Sequence, residues 1–238
     1  MADRAAARLA ARPDDRPGPL PLIVGLGAAA AAFAATFNGP RDRFWSRMTA
    51  TGLALGSWAL LTSRPSRRFG IGPGRILLGL LSALGLYLTF AVGDRFARRY
   101  VPGGDAEIRD IYALRMLRPR PEIAARLAFV IGPAEEIFWR GLVQESLMRR
   151  FGRWPGAALA AVCYGGVHVT TGNFTLFGAA GLAGAHWCAL YAAKVPLGAL
   201  VVSHVAWDIW IFLVQPTGET DAIGPDGRVV HVRLGPAA

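Results

Sequence analysis

The sequence predicts an all-α fold, a polytopic transmembrane helical bundle of about seven (six to eight) spanning helices. Two observations predict it. Of the 238 residues, 53% are hydrophobic, and the mean hydropathy is +0.34. The apolar residues also gather into long runs, each approaching the roughly 20 residues that cross about 30 Å of hydrocarbon as a helix. A soluble domain of this length would not contain so many of them.

The chain divides into a basic arm, a bundle and a polar tail. The predicted spans lie at about 20–38, 48–62, 76–93, 122–147, 155–170, 174–192 and 195–214. Residues 1–19 carry four arginines and are expected to be a disordered arm, and the bundle is expected at 20–214. The tail, 215–238, contains proline and glycine breakers and is expected to be loose or to form a short hairpin around Pro225-Asp226-Gly227.

The positive charge is spread in a way that is typical of a membrane protein. The net charge of +10 comes almost entirely from 25 arginines, most of them in connections between apolar runs. A nucleic-acid-binding protein would gather this charge on one soluble face. The pattern therefore excludes nucleic acid and predicts the lipid bilayer as a partner. The Ala-, Arg-, Gly- and Pro-rich composition is typical of a bacterial protein, which predicts a multi-pass protein of the inner (plasma) membrane.

Three charged residues interrupt the fourth apolar run: Glu135, Glu136 and Arg140. Each costs roughly 2.5–3.5 kcal/mol near the centre of a spanning helix unless it pairs or faces an internal cavity. Glu136 and Arg140 are spaced i, i+4, so they can form an ion pair on one helix face. Glu135 lies about 100° around the helix and has no such partner, which makes it a candidate general base. Gly132-Pro133 just upstream predicts a kink.

Two further runs carry ionisable side chains. His168 ends the fifth run after Tyr164, and His204 and Asp208 are spaced i, i+4 in the seventh. Ionisable residues within spans usually face the interior of the bundle, so we expect these groups to converge with the glutamates. A carboxylate and two imidazoles can activate a water molecule, with or without a metal ion.

Taken in order, these motifs are similar to those of a known family. Glu-Glu-x-x-x-Arg, aromatic-x-x-x-His and His-x-x-x-Asp on successive apolar helices resemble the CPBP (CaaX protease / bacteriocin-processing) family of glutamic-type intramembrane endopeptidases. The resemblance covers residues 122–214, which would be the catalytic core. It implies that the chain is a peptide hydrolase.

The resemblance also implies a role for each motif residue. Glu135 would activate the attacking water, and His168 would help to hold it. His204 and Asp208 would stabilise the oxyanion of the tetrahedral intermediate. The neighbouring Glu–Arg pair would support the site.

Two positions depart from the usual family pattern. Tyr164 stands where phenylalanine is common, and Asp208 stands where asparagine is common. An ionised carboxylate repels a developing oxyanion, whereas an amide can donate to it. Asp208 would then be protonated, pair with His204 and keep it charged, or serve a metal ion.

No cofactor is favoured by the sequence. If zinc were present, Glu135, His168 and His204 could bind it and leave an open fourth position. The His-Glu-x-x-His motif is absent, however, and the ligands would come singly from three helices. The resemblance implies a glutamate-based mechanism without an obligatory metal.

The expected function is the hydrolysis of a peptide bond in a membrane-anchored or hydrophobic protein substrate. Two alternatives use the same buried charges. One is a proton-coupled carrier, although carriers usually contain internal repeats and none is evident in this sequence. The other is a non-catalytic membrane scaffold or immunity protein.

Overall fold

A computed structural model describes residues 19–63, 70–216, 219–223 and 229–233, and the described residues up to 216 are mainly helical. The helices are α1 (Pro19–Phe37), α2 (Phe44–Thr62), α3 (Pro73–Tyr100), α4 (Gly104–Ala113), α5 (120–151), α6 (Arg153–Val167), α7 (Phe174–Ala192) and α8 (Leu197–Val214). Single 3₁₀ turns lie at Arg41–Arg43, Leu114–Leu117 and His168–Thr171.

A short antiparallel hairpin follows the helices. Strand β1 (Glu219–Ile223) pairs with β2 (Val229–Arg233). The tail therefore contains the hairpin that was one of its two predicted forms. The predicted turn at Pro225-Asp226-Gly227 and nearly all of the predicted basic arm lie outside the described residues.

The helical class of the bundle is confirmed, but the count of seven spans is not. In the described part of the chain, three helices are long and apolar enough to cross a membrane, namely α1, α3 and α8. Helices also occupy the other four predicted runs. The charges of Glu135, Glu136 and Arg140 lower the hydropathy of α5, and such residues are tolerated in a membrane only where protein covers them.

Helix α3 shows the surface that an apolar environment would cover. Of the 18 residues in its most apolar stretch, only 17% are buried within the protein. Its outward side chains include Leu77, Leu80, Leu81, Leu84 and Leu88, each between 48% and 59% exposed. An exposed apolar face of this length is what a lipid-facing helix presents.

Helix α5 is the central element of the bundle and is not a uniform α-helix. Wide π-helical turns at Leu127–Ile131 and Ile137–Gln144 flank the α-helical segment Gly132–Glu136. At Gly132 the backbone keeps helical dihedral angles, and the irregularity near the proline takes the form of wider turns on both sides. Such turns accommodate a proline, which cannot donate to the helical hydrogen-bond ladder. α5 ends at Gly152, whose φ of 89° only glycine adopts freely.

Helices α6 and α7 approach each other through glycines. A Cβ added to Gly165 would lie 3.0 Å from the Cα of Gly181, and one added to Gly184 would lie 2.8 Å from the ring of Tyr164. Side chains at these positions would force the helices apart. Small residues therefore set the position of Tyr164.

Helix α4 connects α3 to α5 and caps α7. Ile108 and Tyr112 on α4 are buried. The carboxylate of Glu107 accepts hydrogen bonds from the backbone N–H groups of Phe174 (3.1 Å) and Thr175 (2.8 Å) and from the Thr175 hydroxyl (2.6 Å). The hydrogen bond from the Thr175 hydroxyl has the largest effect on the pKa of Glu107. Together these bonds outweigh the rise that burial causes and hold that pKa below its usual value.

Candidate active site

One cavity of about 480 Å³ opens among the helices, and its lining is mainly apolar and aromatic. Its aromatic walls include Phe37, Trp45, Phe90, Trp207 and Phe212. Its polar lining includes four of the six predicted site residues, Glu135, His168, His204 and Asp208, together with Tyr164. The other two, Glu136 and Arg140, do not line the cavity and are fully buried behind it.

Glu135 presents a carboxyl group to this cavity from the α-helical segment of α5. The residue is 7% exposed. The hydroxyl of Tyr164 on α6 donates a hydrogen bond to its Oε2 at 3.2 Å. Among the described residues, Tyr164 alone makes a hydrogen bond to this carboxyl group. A carboxylate in such an apolar site is suited to accept a proton from a water molecule.

Glu136 points to the other side of α5 and contacts Arg140 and His204. Its Oε1 lies 3.0 Å from Nη1 of Arg140, the neighbour one turn along, and 2.8 Å from Nδ1 of His204 on α8. The guanidinium of Arg140 also lies over the rings of Tyr164 and Trp187, at 4.9 and 5.3 Å from their centroids. The pair is thus enclosed by aromatic rings, which favour a cation over their faces.

His204 is held on three sides. Its ring stacks on Trp187, with centroids 4.1 Å apart and planes 20° apart. The indole N–H of Trp187 donates to the Ser203 hydroxyl at 3.0 Å, which fixes the platform under the imidazole. Nδ1 of His204 contacts Glu136, and Nε2 lies 3.5 Å from Oδ2 of Asp208.

His168 is oriented by the backbone of α6. Its Nδ1 lies 2.8 Å from the carbonyl oxygen of Tyr164. A carbonyl only accepts, so Nδ1 carries the proton, and Nε2 of the neutral imidazole is an acceptor. The edge of Phe33 packs on the ring at 5.0 Å between centroids. His168 can therefore accept a hydrogen bond from a water molecule in the cavity.

Sequence reasoning did not assign a role to the Tyr164 hydroxyl or to Trp187. Both contact a motif residue directly, Tyr164 through its hydrogen bond to Glu135 and Trp187 through its stacking on His204. The signal for the first was the tyrosine at a position where phenylalanine is common. No comparable signal marked Trp187.

Glu135, His168 and His204, the three possible zinc ligands, do not form a cluster. In the part of the chain that the structure describes, no group of three His, Cys, Asp or Glu side chains is placed to hold a metal ion. Nδ1 of His204 is already engaged by Glu136. These residues do not fit a three-ligand zinc site in this arrangement.

Comparison with known protein families matches residues 121–210 to the family described as Type II CAAX prenyl endopeptidase Rce1-like. No match was found among curated proteins or among solved structures. The matched segment contains Glu135 and all the other predicted site residues. The apolar helices and this match make the chain an integral membrane protein. By this match, residues 121–210 are similar to the CaaX endopeptidases, a family of peptide hydrolases.

Proposed function

We propose that the protein is an intramembrane endopeptidase that hydrolyses a peptide bond in a membrane-anchored or hydrophobic protein substrate. Its setting in this proposal is multi-pass in a bacterial inner membrane. The observation that carries the proposal is the meeting of Glu135, His168, His204 and Asp208 in one apolar cavity. Charged side chains inside a membrane bundle are functional candidates, and here they come from separate helices to one place.

The proposed reaction begins with a water molecule between Glu135 and His168. Glu135 takes a proton from the water, whose oxygen attacks the carbonyl carbon of the scissile bond. Nε2 of His168 accepts the second water hydrogen as a hydrogen bond and so orients the attack. The C–N bond then breaks, and the proton held by Glu135 passes to the leaving nitrogen. The products are a carboxylic acid and an amine. General-base catalysis of this kind contributes about 10²–10⁴-fold to the rate.

His204 is proposed to stabilise the oxyanion. Glu136 and Asp208 place a carboxylate near each imidazole nitrogen, an arrangement suited to an imidazolium that donates from both. The 3.5 Å to Asp208 exceeds the usual N–H···O distance of about 2.7–3.2 Å. The Nε2–H group is thus available to an oxyanion. Asp208 could be protonated, pair with His204 or serve a metal ion. This geometry supports the second role, as an ion pair with His204 and without a short hydrogen bond.

The substrate class follows from the cavity lining. Its walls are mainly aromatic and aliphatic, which suits an apolar peptide segment or a lipid-modified chain end. The matched family is described as a Type II CAAX prenyl endopeptidase. For this chain we propose the broader class, a membrane-anchored or hydrophobic peptide.

We propose that the reaction needs no catalytic metal. Two features support this. The candidate ligands form no cluster in the described residues, and His204 already has an anionic partner at Nδ1. Glu135 and His168 can activate water by proton transfer alone.

The test compares new peptide termini in membranes from cells that carry the wild-type protein, Glu135→Gln or Glu145→Gln. Glu145 is the matched control: it lies on the same helix, accepts from the Tyr191 hydroxyl at 2.6 Å and lies outside the active-site cavity. We expect a small set of termini that disappears in Glu135→Gln and persists in Glu145→Gln. A zinc chelator should leave the set unchanged.

Two outcomes would overturn parts of this proposal. Identical termini in all three membranes, with equal expression and thermal stability, would reject proteolysis and support the scaffold alternative. Termini that vanish with the chelator and return with added zinc would reject the metal-free mechanism.

A further inference from the structure

We propose that Tyr164 is a positioning residue that orients both water-activating groups, and this inference rests on the proposed function. Its hydroxyl donates to Oε2 of Glu135, and its carbonyl accepts from Nδ1 of His168. One residue of α6 thus contacts a carboxylate on α5 and the imidazole one turn further along its own chain. No other described residue makes hydrogen bonds to both groups.

The hydroxyl contact determines which carboxylate oxygen acts as the base. Because Oε2 of Glu135 already accepts from the Tyr164 hydroxyl at 3.2 Å, Oε1 has more free lone pairs and is the better acceptor of a proton from water. The carbonyl contact fixes the imidazole in the same way, because Nδ1 of His168 must carry the proton and Nε2 accepts. Both acceptors are therefore selected by contacts from a single side chain and its backbone.

The ring of Tyr164 has little freedom to move. The residue is 5% exposed. Trp139 packs against the ring edge-on at 5.1 Å between centroids, and the guanidinium of Arg140 lies 4.9 Å from its centroid. On the remaining side, Gly184 leaves no room for a Cβ. A buried hydroxyl on a ring fixed on three sides is a well-defined hydrogen-bond donor.

Phenylalanine, the common residue at this position in the family that the motifs resemble, would keep the ring and lack the donor. Tyr164→Phe therefore removes one hydrogen bond and leaves the packing of Trp139 and Gly184 in place. Hydrogen bonds to charged groups are stronger than those between neutral groups. The variant thus isolates the positioning role from the structural role of the ring.

The first measurement is the steady-state kinetics of wild type, Tyr164→Phe and Tyr191→Phe on a synthetic peptide that spans the identified cleavage site. Tyr191→Phe is the matched control, since it also removes a tyrosine hydroxyl bonded to a glutamate of α5, at Glu145. We expect Tyr164→Phe to lower kcat roughly 10- to 100-fold with KM unchanged. The control should keep the wild-type kcat.

The second measurement does not depend on activity. A hydrophobic carbodiimide adds to protonated carboxyl groups, and a donor that favours the ionised carboxylate slows this reaction. We expect Glu135, identified by peptide mass mapping, to be labelled several-fold faster in Tyr164→Phe than in wild type or Tyr191→Phe.

An unchanged kcat, or an unchanged labelling rate, in Tyr164→Phe would overturn the inference. If the wild type cleaves no peptide at all, the proposed function fails, while the labelling rates still decide whether Tyr164 binds the Glu135 carboxylate. The two failures are therefore distinguishable.

Discussion

Glu135 and Glu136 are adjacent in the chain but have different surroundings. Glu135 faces the cavity and receives one neutral hydroxyl. Glu136 is fully buried and contacts two groups that carry or can carry positive charge, Arg140 and His204. Breaking a buried ion pair by removing one partner is strongly destabilising, because the other charge remains in an apolar environment.

Neutral substitutions of the two glutamates should therefore separate activity from stability. Glu136→Gln leaves Arg140 without its anionic partner and should lower the free energy of unfolding by about 3–5 kcal/mol. Glu135→Gln should abolish cleavage and lower stability much less. Thermal unfolding in detergent, followed alongside cleavage, measures both. Equal losses of melting temperature in the two variants would contradict the assigned difference.

For single residues, the sequence predicted which charged residues form the site better than it predicted which side chains they contact. Charges within apolar runs identified Glu135, Glu136, Arg140 and the two histidine motifs, because such residues are costly in a membrane. A tyrosine hydroxyl has no such cost, and the partner of Tyr164 is 29 positions away in the sequence. Contacts of this kind depend on how helices pack, which a single sequence does not specify.

Among the elements, α5 shows what the pattern of residues could and could not predict. The apolar run predicted a helix over 122–147, and the helix spans 120–151. The two π-helical turns were not predicted, since a few widened turns leave the overall hydrophobic periodicity almost unchanged. Proline at position 133 predicted a kink, which does not specify the type of turn on either side.

Helix α4 is attached to α7 by an acidic side chain, which makes this contact depend on pH. Because the pKa of Glu107 is lowered in the folded state, the carboxylate contributes stability above its ordinary pKa of about 4.5. That stability is lost as the pH falls through the lower, folded-state value.

The melting temperature of Glu107→Gln should therefore be a few degrees below that of the wild type at neutral pH. The substitution removes the charged carboxylate that accepts hydrogen bonds from Phe174 and Thr175. The two melting temperatures should converge as the pH falls below about 4. Melting curves across a pH series test this. A difference that persists undiminished in acid would show that charge is not the cause.

For the whole molecule, the cavity is the feature that helix patterns alone did not specify. Seven apolar runs predicted a bundle, yet only α1, α3 and α8 have the length and hydropathy of spans in the described chain. The volume left between helices depends on side-chain size at each contact and on glycines such as Gly178, which lines the cavity with open space beside it.

Filling that space should impair substrate binding without unfolding the protein. Gly178→Leu places a side chain in the cavity and should raise KM about tenfold or more, with the melting temperature retained. Gly85→Leu, on the outer face of α3 with equally open space, is the matched control and should leave KM unchanged. Cleavage kinetics of both variants test this. An unchanged KM in Gly178→Leu would place the substrate elsewhere.

The ion pair within α5 also bears on how the protein is made. Glu136 and Arg140 lie on one helix, so they can neutralise each other as soon as α5 forms, before the rest of the chain has been synthesised. His204 and Asp208 belong to α8, which is synthesised after α5. A nascent chain that ends before α8 thus carries Glu136 and Arg140 as a balanced pair but lacks the groups proposed to stabilise the oxyanion. In the proposed mechanism, proteolytic competence would then arise only after α8 has been synthesised.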